Sequence, residues 1–116
     1  VVLIDGDGSL LMNIQELETI KRHNLNILII SMNDGAYGSE IHKLRADNAP
    51  LAGSLFGRTD FAAVAEGFGI SGKRVTRLSD IPDFFKDYQD TAAPTVWDVI
   101  ISNLVASPVM KKLHPA

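Results

Sequence analysis

Short unbroken apolar runs alternate along this chain with segments of helical spacing. Residues 1–4 (VVLI) are wholly apolar and run into Asp5-Gly6, the pattern of a strand buried on both faces. Asn13, with Glu16 three positions on, has the form of a capping box, and Ile14, Leu17 and Ile20 keep helical spacing behind it. Lys21, Arg22 and His23 place positive charge in that helix's last turn, and Asn24 suits the left-handed position after it. Residues 27–32 (ILIISM) read as a second buried strand, closed by Asn33-Asp34-Gly35. A loop and short helix are expected over 37–45, then a polar link punctuated by Gly and Pro through Gly57. Thr59-Asp60 should cap a helix over FAAVAEGFG, ended by Gly67 and Gly69. A third strand over 73–78 (KRVTRL), an amphipathic helix from Ser79-Asp80 to about Asp90, and a fourth strand (TVWDVII) after Pro94 complete the order. Phe61, Phe68, Phe84 and Phe85 are expected in the core, Trp97 in the core or an interface, and residues 107–116 form a tail.

Strands alternating with helices define an α/β protein: a three-layer αβα arrangement around a mainly parallel sheet, with right-handed crossovers. In such sheets ligands bind beyond the carboxyl ends of the strands. Gly6-Asp7-Gly8-Ser9 follows the first strand and Asn33-Asp34-Gly35 follows the second, so both polar motifs fall on the binding edge.

Composition narrows the field. At 116 residues there is room for one domain with a real core, and 46% hydrophobic against 22% charged residues is ordinary for a globular protein. A net charge of −3, with basic residues scattered, argues against nucleic acid or an anionic membrane surface as partner, and no stretch approaches a membrane span. Zero cysteines exclude disulfides and thiolate chemistry and favour a cytoplasmic location. The chain opens with Val inside an apolar run, so it reads as part of a longer polypeptide, its fold truncated at the N-terminal side. His23 reads as helix-end charge, His42 as surface and His114 as tail, so no zinc site is expected.

The opening DGDGS has two chemical readings. As D-x-D-G-S it is similar to the signature of haloacid dehalogenase phosphatases, with Asp5 as nucleophile, Asp7 as general acid/base, Ser31 holding the phosphoryl group and Lys73 as the downstream lysine. That chemistry also needs an acidic pair for magnesium after a late strand, and DVIISNLVA offers none. A non-catalytic fragment or decayed homologue is a further alternative. As G-D-G, followed by 24 residues and then Asn33-Asp34, the chain resembles the C-terminal diphosphate-binding module of thiamine-diphosphate enzymes. MNDGAYG resembles that family's N-N-x-x-Y-G loop, DFAAVAEGFG its following D-F-x-x-x-A-x-x-x-G helix, and APTVWDVII its closing strand. The likeness is collinear over residues 1–106, with acetolactate synthases, pyruvate decarboxylases and benzoylformate decarboxylases as the nearest branch.

The resemblance implies a module that binds thiamine diphosphate through Mg²⁺ within a 2-oxo acid decarboxylase or carboligase. Asp7, Asp34 and the Ala36 carbonyl would be the metal ligands, and Mg²⁺ does favour a few such oxygens beside those of a phosphate. Gly6, Asp7, Gly8, Ser9, Asp34, Tyr37 and Gly38 would line the cofactor site. Gly8 would admit the diphosphate, the Gly8 and Ser9 amides would donate to it, and the helix near Gly38 would aim its positive end at it. Tyr37 is read equally as packing the loop. Asp34 departs from the more usual Asn, adding charge that should strengthen metal binding. Glu40 matches the final residue of N-D-G-Y-T-I-E in some decarboxylases, where it assists proton transfer; acid in a first turn is also plain helix chemistry. The family's activating glutamate comes from the pyrimidine-binding domain of a partner subunit, so a homodimer or homotetramer is implied.

Overall fold

The computed structural model describes residues 1–113. Four strands, β1 (Val2–Gly6), β2 (Leu28–Asn33), β3 (Ser71–Val75) and β4 (Thr95–Ile100), form one sheet in the order β1-β2-β4-β3 with every neighbouring pair parallel. The helices are α1 (Asp7–Met12), α2 (Glu16–Arg22), α3 (Gly38–Ala46), α4 (Phe61–Gly67), α5 (Ile81–Thr91) and α6 (Pro108–Leu113). This is the α/β parallel sheet expected from the alternation of runs.

Strand periodicity divides the core into two layers. Ile29 and its register partner Val96 face one side, where Leu10, Leu17, Phe61, Ala65 and Ile70 cover them. Leu28, Trp97 and Val75 face the other, against Ile81, Phe84 and Tyr88 of α5. Helices therefore cover both faces of β2 and β4, the two central strands, and three layers result. Asp60 starts α4 as anticipated, its Oδ1 accepting from the Ala63 amide, and Asn24 and Gly69 take positive φ after their helices.

The structure corrects several expectations. The first strand forms over Val2–Gly6, but as an edge strand with Val1 to Ile4 all substantially exposed, because no element of the described chain lies beyond β1. The first helix starts at Asp7, directly off the strand, rather than at Asn13. Asn13 ends α1 and its carbonyl accepts from the Glu16 amide, so the capping box does not form. β3 lies at 71–75 instead of 73–78: Gly72 lets the strand approach α4 closely, and Glu66 accepts from its amide. Leu78, released from the sheet, is exposed in a 3₁₀ turn. Phe85 lies on the outer side of α5 and is exposed, whereas Phe61 is core, Phe68 packs against its layer and Phe84 packs against the layer on the opposite face. Residues 108–113 of the expected tail are helical, with Ser107 Oγ accepting from the Met110 amide; His114 lies outside the described residues. Among the described residues no helix is long and apolar enough to cross a membrane.

Candidate functional site

At the carboxyl edge of the sheet, a cleft of about 410 Å³ opens between β1–α1 and β2–α3. Its lining includes Gly6, Asp7, Gly8, Ser9, Asp34, Ala36, Tyr37, Gly38 and Glu40, so the structure brings every anticipated binding residue to one place. Met32, Ser39 and Ile101 complete the wall, and the sequence patterns had not singled them out. Asp5 lies elsewhere. It accepts from the Gly6 amide and lines a separate groove with Leu3, Leu10 and Glu16, so Asp5 and Asp7 do not share a phosphatase centre.

Asp7 is 2% exposed, and its two carboxylate oxygens accept from different loops: Oδ1 from the Gly8 amide at 3.0 Å, Oδ2 from the Gly35 amide at 2.8 Å. It thereby ties the two motifs together. Burial raises the Asp7 carboxyl above the ordinary carboxylate range, the Gly35 and Gly8 amides pull it back, and the neighbouring Asp34 pushes it up again. Two buried carboxylates on one wall are a donor set that a cation stabilises. Because the Gly8 amide is engaged by Asp7, the expected gift of that N–H to an anion is not free in this structure.

The second motif bends where Gly35 takes φ +73°, a conformation that also lets the backbone pass Gly57 and Arg58 closely. Ala36 pairs across an antiparallel bridge with Leu55, with Tyr37 N–H donating to Ser54 O and Phe56 N–H to Gly35 O. In that pairing the Ala36 N–H and C=O both point away from Leu55. The N–H reaches Asp34 Oδ1 at 3.0 Å, which puts the Ala36 carbonyl on the Asp34 side.

Small residues keep the cleft open. A Cβ on Gly8 would stand 2.8 Å from the Tyr37 ring, and one on Gly38 would stand 2.5 Å from Asp34 Oδ2. Tyr37 packs edge-on to Phe56 at 4.9 Å and stays half exposed over Gly8, so it both packs the loop and walls the cleft. The first-turn amides of Gly38 and Ser39 open α3 with no preceding turn to accept them. Glu40 lines the cleft but is paired with Lys43 at 2.9 Å in an exposed bridge. Oxygen donors of the type Mg²⁺ takes, amides at a helix start and glycines that clear room beside them therefore fit a metal–diphosphate group.

Three further residues brace the second motif from outside the cleft. Asn103 donates to the Asp34 carbonyl, Arg58 to the Ile101 and Asn33 carbonyls, and Asp98 accepts from the Asn33 amide. Nothing in linear spacing announced them. Only Asp98, a carboxylate within an apolar strand, carries a signal that could have been read.

Residues 1–99 match the family described as thiamine pyrophosphate enzyme, C-terminal TPP binding domain. The chain is 36% identical over 110 residues to acetolactate synthase 1, chloroplastic, of Oryza sativa subsp. japonica, covering 87% of this chain and 17% of that protein. It is 31% identical over 106 residues to the large subunit of acetolactate synthase isozyme 2 of Escherichia coli K12, covering 90% and 19%. The solved thiamine diphosphate-dependent 4-hydroxybenzoylformate decarboxylase of Rhodococcus jostii RHA1 superposes with a TM-score of 0.74 at 28% identity, covering 88% of this chain and 19% of that one. Benzoylformate decarboxylase from Polynucleobacter necessarius shares the fold, with a TM-score of 0.79 at 19% identity. The chain thus spans about 17% of the length of the curated relatives it matches first.

Proposed function

The chain belongs to the C-terminal TPP-binding domain family of thiamine pyrophosphate enzymes, and on that premise we propose that its cleft holds the diphosphate of thiamine diphosphate through Mg²⁺ as part of an acetolactate synthase-like 2-oxo acid decarboxylase or carboligase. The observation that carries this reading is the convergence of Asp7, Asp34 and Ala36 on one cleft wall, linked by the Gly35 amide. In the proposal Asp7 and Asp34 each give a carboxylate oxygen and Ala36 its carbonyl. The metal would take its other oxygens from the diphosphate and from water. Gly8 and Gly38 leave room, Ser9 and the start of α3 donate to the anion, and Tyr37 covers the Gly8 side.

When bound, the cofactor supplies the electron sink for breaking or making a bond beside a carbonyl. This chain's part is to anchor one end of it and keep the anion neutralised. Glu40, in reach of the cleft, is proposed to hold and move a proton; its pairing with Lys43 means that it must exchange partners to do so. In this reading the activating carboxylate and the pyrimidine-binding surface come from a partner subunit of a homodimer or homotetramer, and the wall that selects the substrate comes largely from other segments of the enzyme. The cysteine-free composition supports a reducing compartment such as the cytoplasm.

Isothermal titration of thiamine diphosphate with and without Mg²⁺ tests the anchoring role. The expected result is binding that requires the metal and weakens by at least about 100-fold in Asp34→Ala, beyond the effect of an outer-shell residue. Equal binding with and without Mg²⁺ would refute it.

A further inference from the structure

Asp98 lies in the middle of β4, a central strand, and is 0% exposed. Register places it opposite Ser31 on β2 and opposite Arg74 on β3. A carboxylate in such a place is expensive to bury, and an apolar side chain of similar volume is often as good or better for stability. Stability alone therefore gives this position no reason to be charged.

Its contacts supply one. Asp98 Oδ1 accepts from Asn33 Nδ2 at 2.7 Å, and the second hydrogen of the same amide goes to the Thr59 carbonyl at 2.8 Å. Both donors of Asn33 are thus engaged, and its side chain has one orientation. Asn33 is the last residue of β2 and directly precedes Asp34. Arg74 lies 3.9 Å from Asp98 Oδ2 and bridges to Asp60 at 3.1 Å, next to Thr59. The circuit Asn33–Asp98–Arg74–Asp60, closed through the Thr59 carbonyl, fastens the end of β2 to the start of α4.

We propose that Asp98 is a positioning residue for the cation-binding turn: by fixing the Asn33 amide, its carboxylate sets the orientation of residues 33–35 and with it the approach of Asp34 to Asp7. This rests on the reading of the cleft as a metal–diphosphate site. The Ile101 amide, Arg58 and Asn103 hold the backbone carbonyls of Asn33 and Asp34, whereas the Asn33 side chain is fixed by Asp98 and the Thr59 carbonyl. The Gly35 carbonyl is held from the other side by the Phe56 and Gly57 amides, and the one bond from this turn to Asp7 is that of the Gly35 amide.

The test compares Asp98→Leu, which removes the acceptor, with Asp98→Asn, which keeps a carbonyl acceptor in the same volume. Amide hydrogen exchange is read by NMR on the ligand-free chain, then Mg²⁺-dependent thiamine diphosphate affinity is measured. In Asp98→Leu the Gly35 amide should exchange about tenfold faster or more, while the sheet amides of Ile29 and Val96 change less than about twofold. Asp98→Asn should keep wild-type protection. If Asp98→Leu does not fold, Asn33→Ala makes the same comparison from the other side of the bond. Unchanged Gly35 protection, a loss shared equally by Ile29 and Val96, or Asp98→Asn as damaged as Asp98→Leu would each overturn the proposal. Where wild type binds cofactor, Asp98→Leu should weaken it about 10- to 100-fold. A folded wild type that binds nothing refutes the metal–diphosphate reading, while the Gly35 exchange still decides whether Asp98 positions the turn.

Discussion

Gly38 opens α3 directly against the Asp34 carboxylate, where a methyl would come to 2.5 Å from Oδ2. Gly38→Ala must turn that carboxylate away, so Mg²⁺-dependent cofactor affinity should fall about tenfold or more, as for other changes that reorient a ligand. Thermal unfolding should move little, because the displaced group borders the cleft rather than the core. Asp98 gives a prediction in pH. Burial raises its carboxyl above the ordinary 3.8, against the opposing pull of Asn33 and Arg74, so the folded chain holds this proton more tightly than the unfolded one. The stability it contributes is fully present below that ordinary value and is lost as pH rises through the folded-state pKa. Asp98→Asn has no such proton to lose. Urea unfolding from about pH 3 to about pH 7 should therefore show the variant gaining on wild type as pH rises; parallel curves would contradict the assignment. At this scale the sequence was most readable where a motif is linear. Asp7, Asp34 and the glycines announce themselves by spacing, whereas Asp98, Arg58 and Asn103 act on the site across 25 or more positions of chain.

Elements were legible where one periodicity ruled and blurred where a helix follows a strand without a linker. The start of α1 at Asp7 escaped notice because G-D-G-S looks like a turn, and the polar residues that suggested a cap, Asn13 and Glu16, instead mark the break between α1 and α2. β3 was displaced for a different reason. Its Ser71-Gly72 start has low strand propensity, yet tertiary packing requires Gly there, since a Cβ would come to 2.2 Å from the Ala62 carbonyl of α4. Gly72→Ala should force α4 and β3 apart and destabilise the chain by about 2–3 kcal/mol, near the upper end of overpacking effects. Chemical denaturation measures this directly, and a change below about 0.5 kcal/mol would show that the two elements can separate freely.

For the whole molecule, alternation of runs was enough to announce a parallel three-layer fold, but not the strand order. That order puts β1 at an edge with Val2 at 52% and Ile4 at 66% exposed, although its sequence reads as a fully buried strand. Hydrophobic runs report how much burial a strand suits, and cannot say whether this stretch of chain provides it. An apolar edge strand with free backbone groups is a template for pairing. The chain by itself is accordingly expected to self-associate at micromolar concentration, and Val2→Lys/Ile4→Lys to shift it towards monomer in sedimentation experiments. By itself it should also turn over no 2-oxo acid, since it supplies one wall of the proposed active site. The central claim, that Asp7 and Asp34 hold one divalent ion against the cofactor's diphosphate, is tested most directly with Mn²⁺ in place of Mg²⁺. With thiamine diphosphate present, paramagnetic broadening should centre on the amides of Gly8, Ser9, Gly35 and Ala36, and should vanish in Asp34→Ala. Broadening centred on Asp5 and Glu16, or unaffected by the substitution, would contradict it.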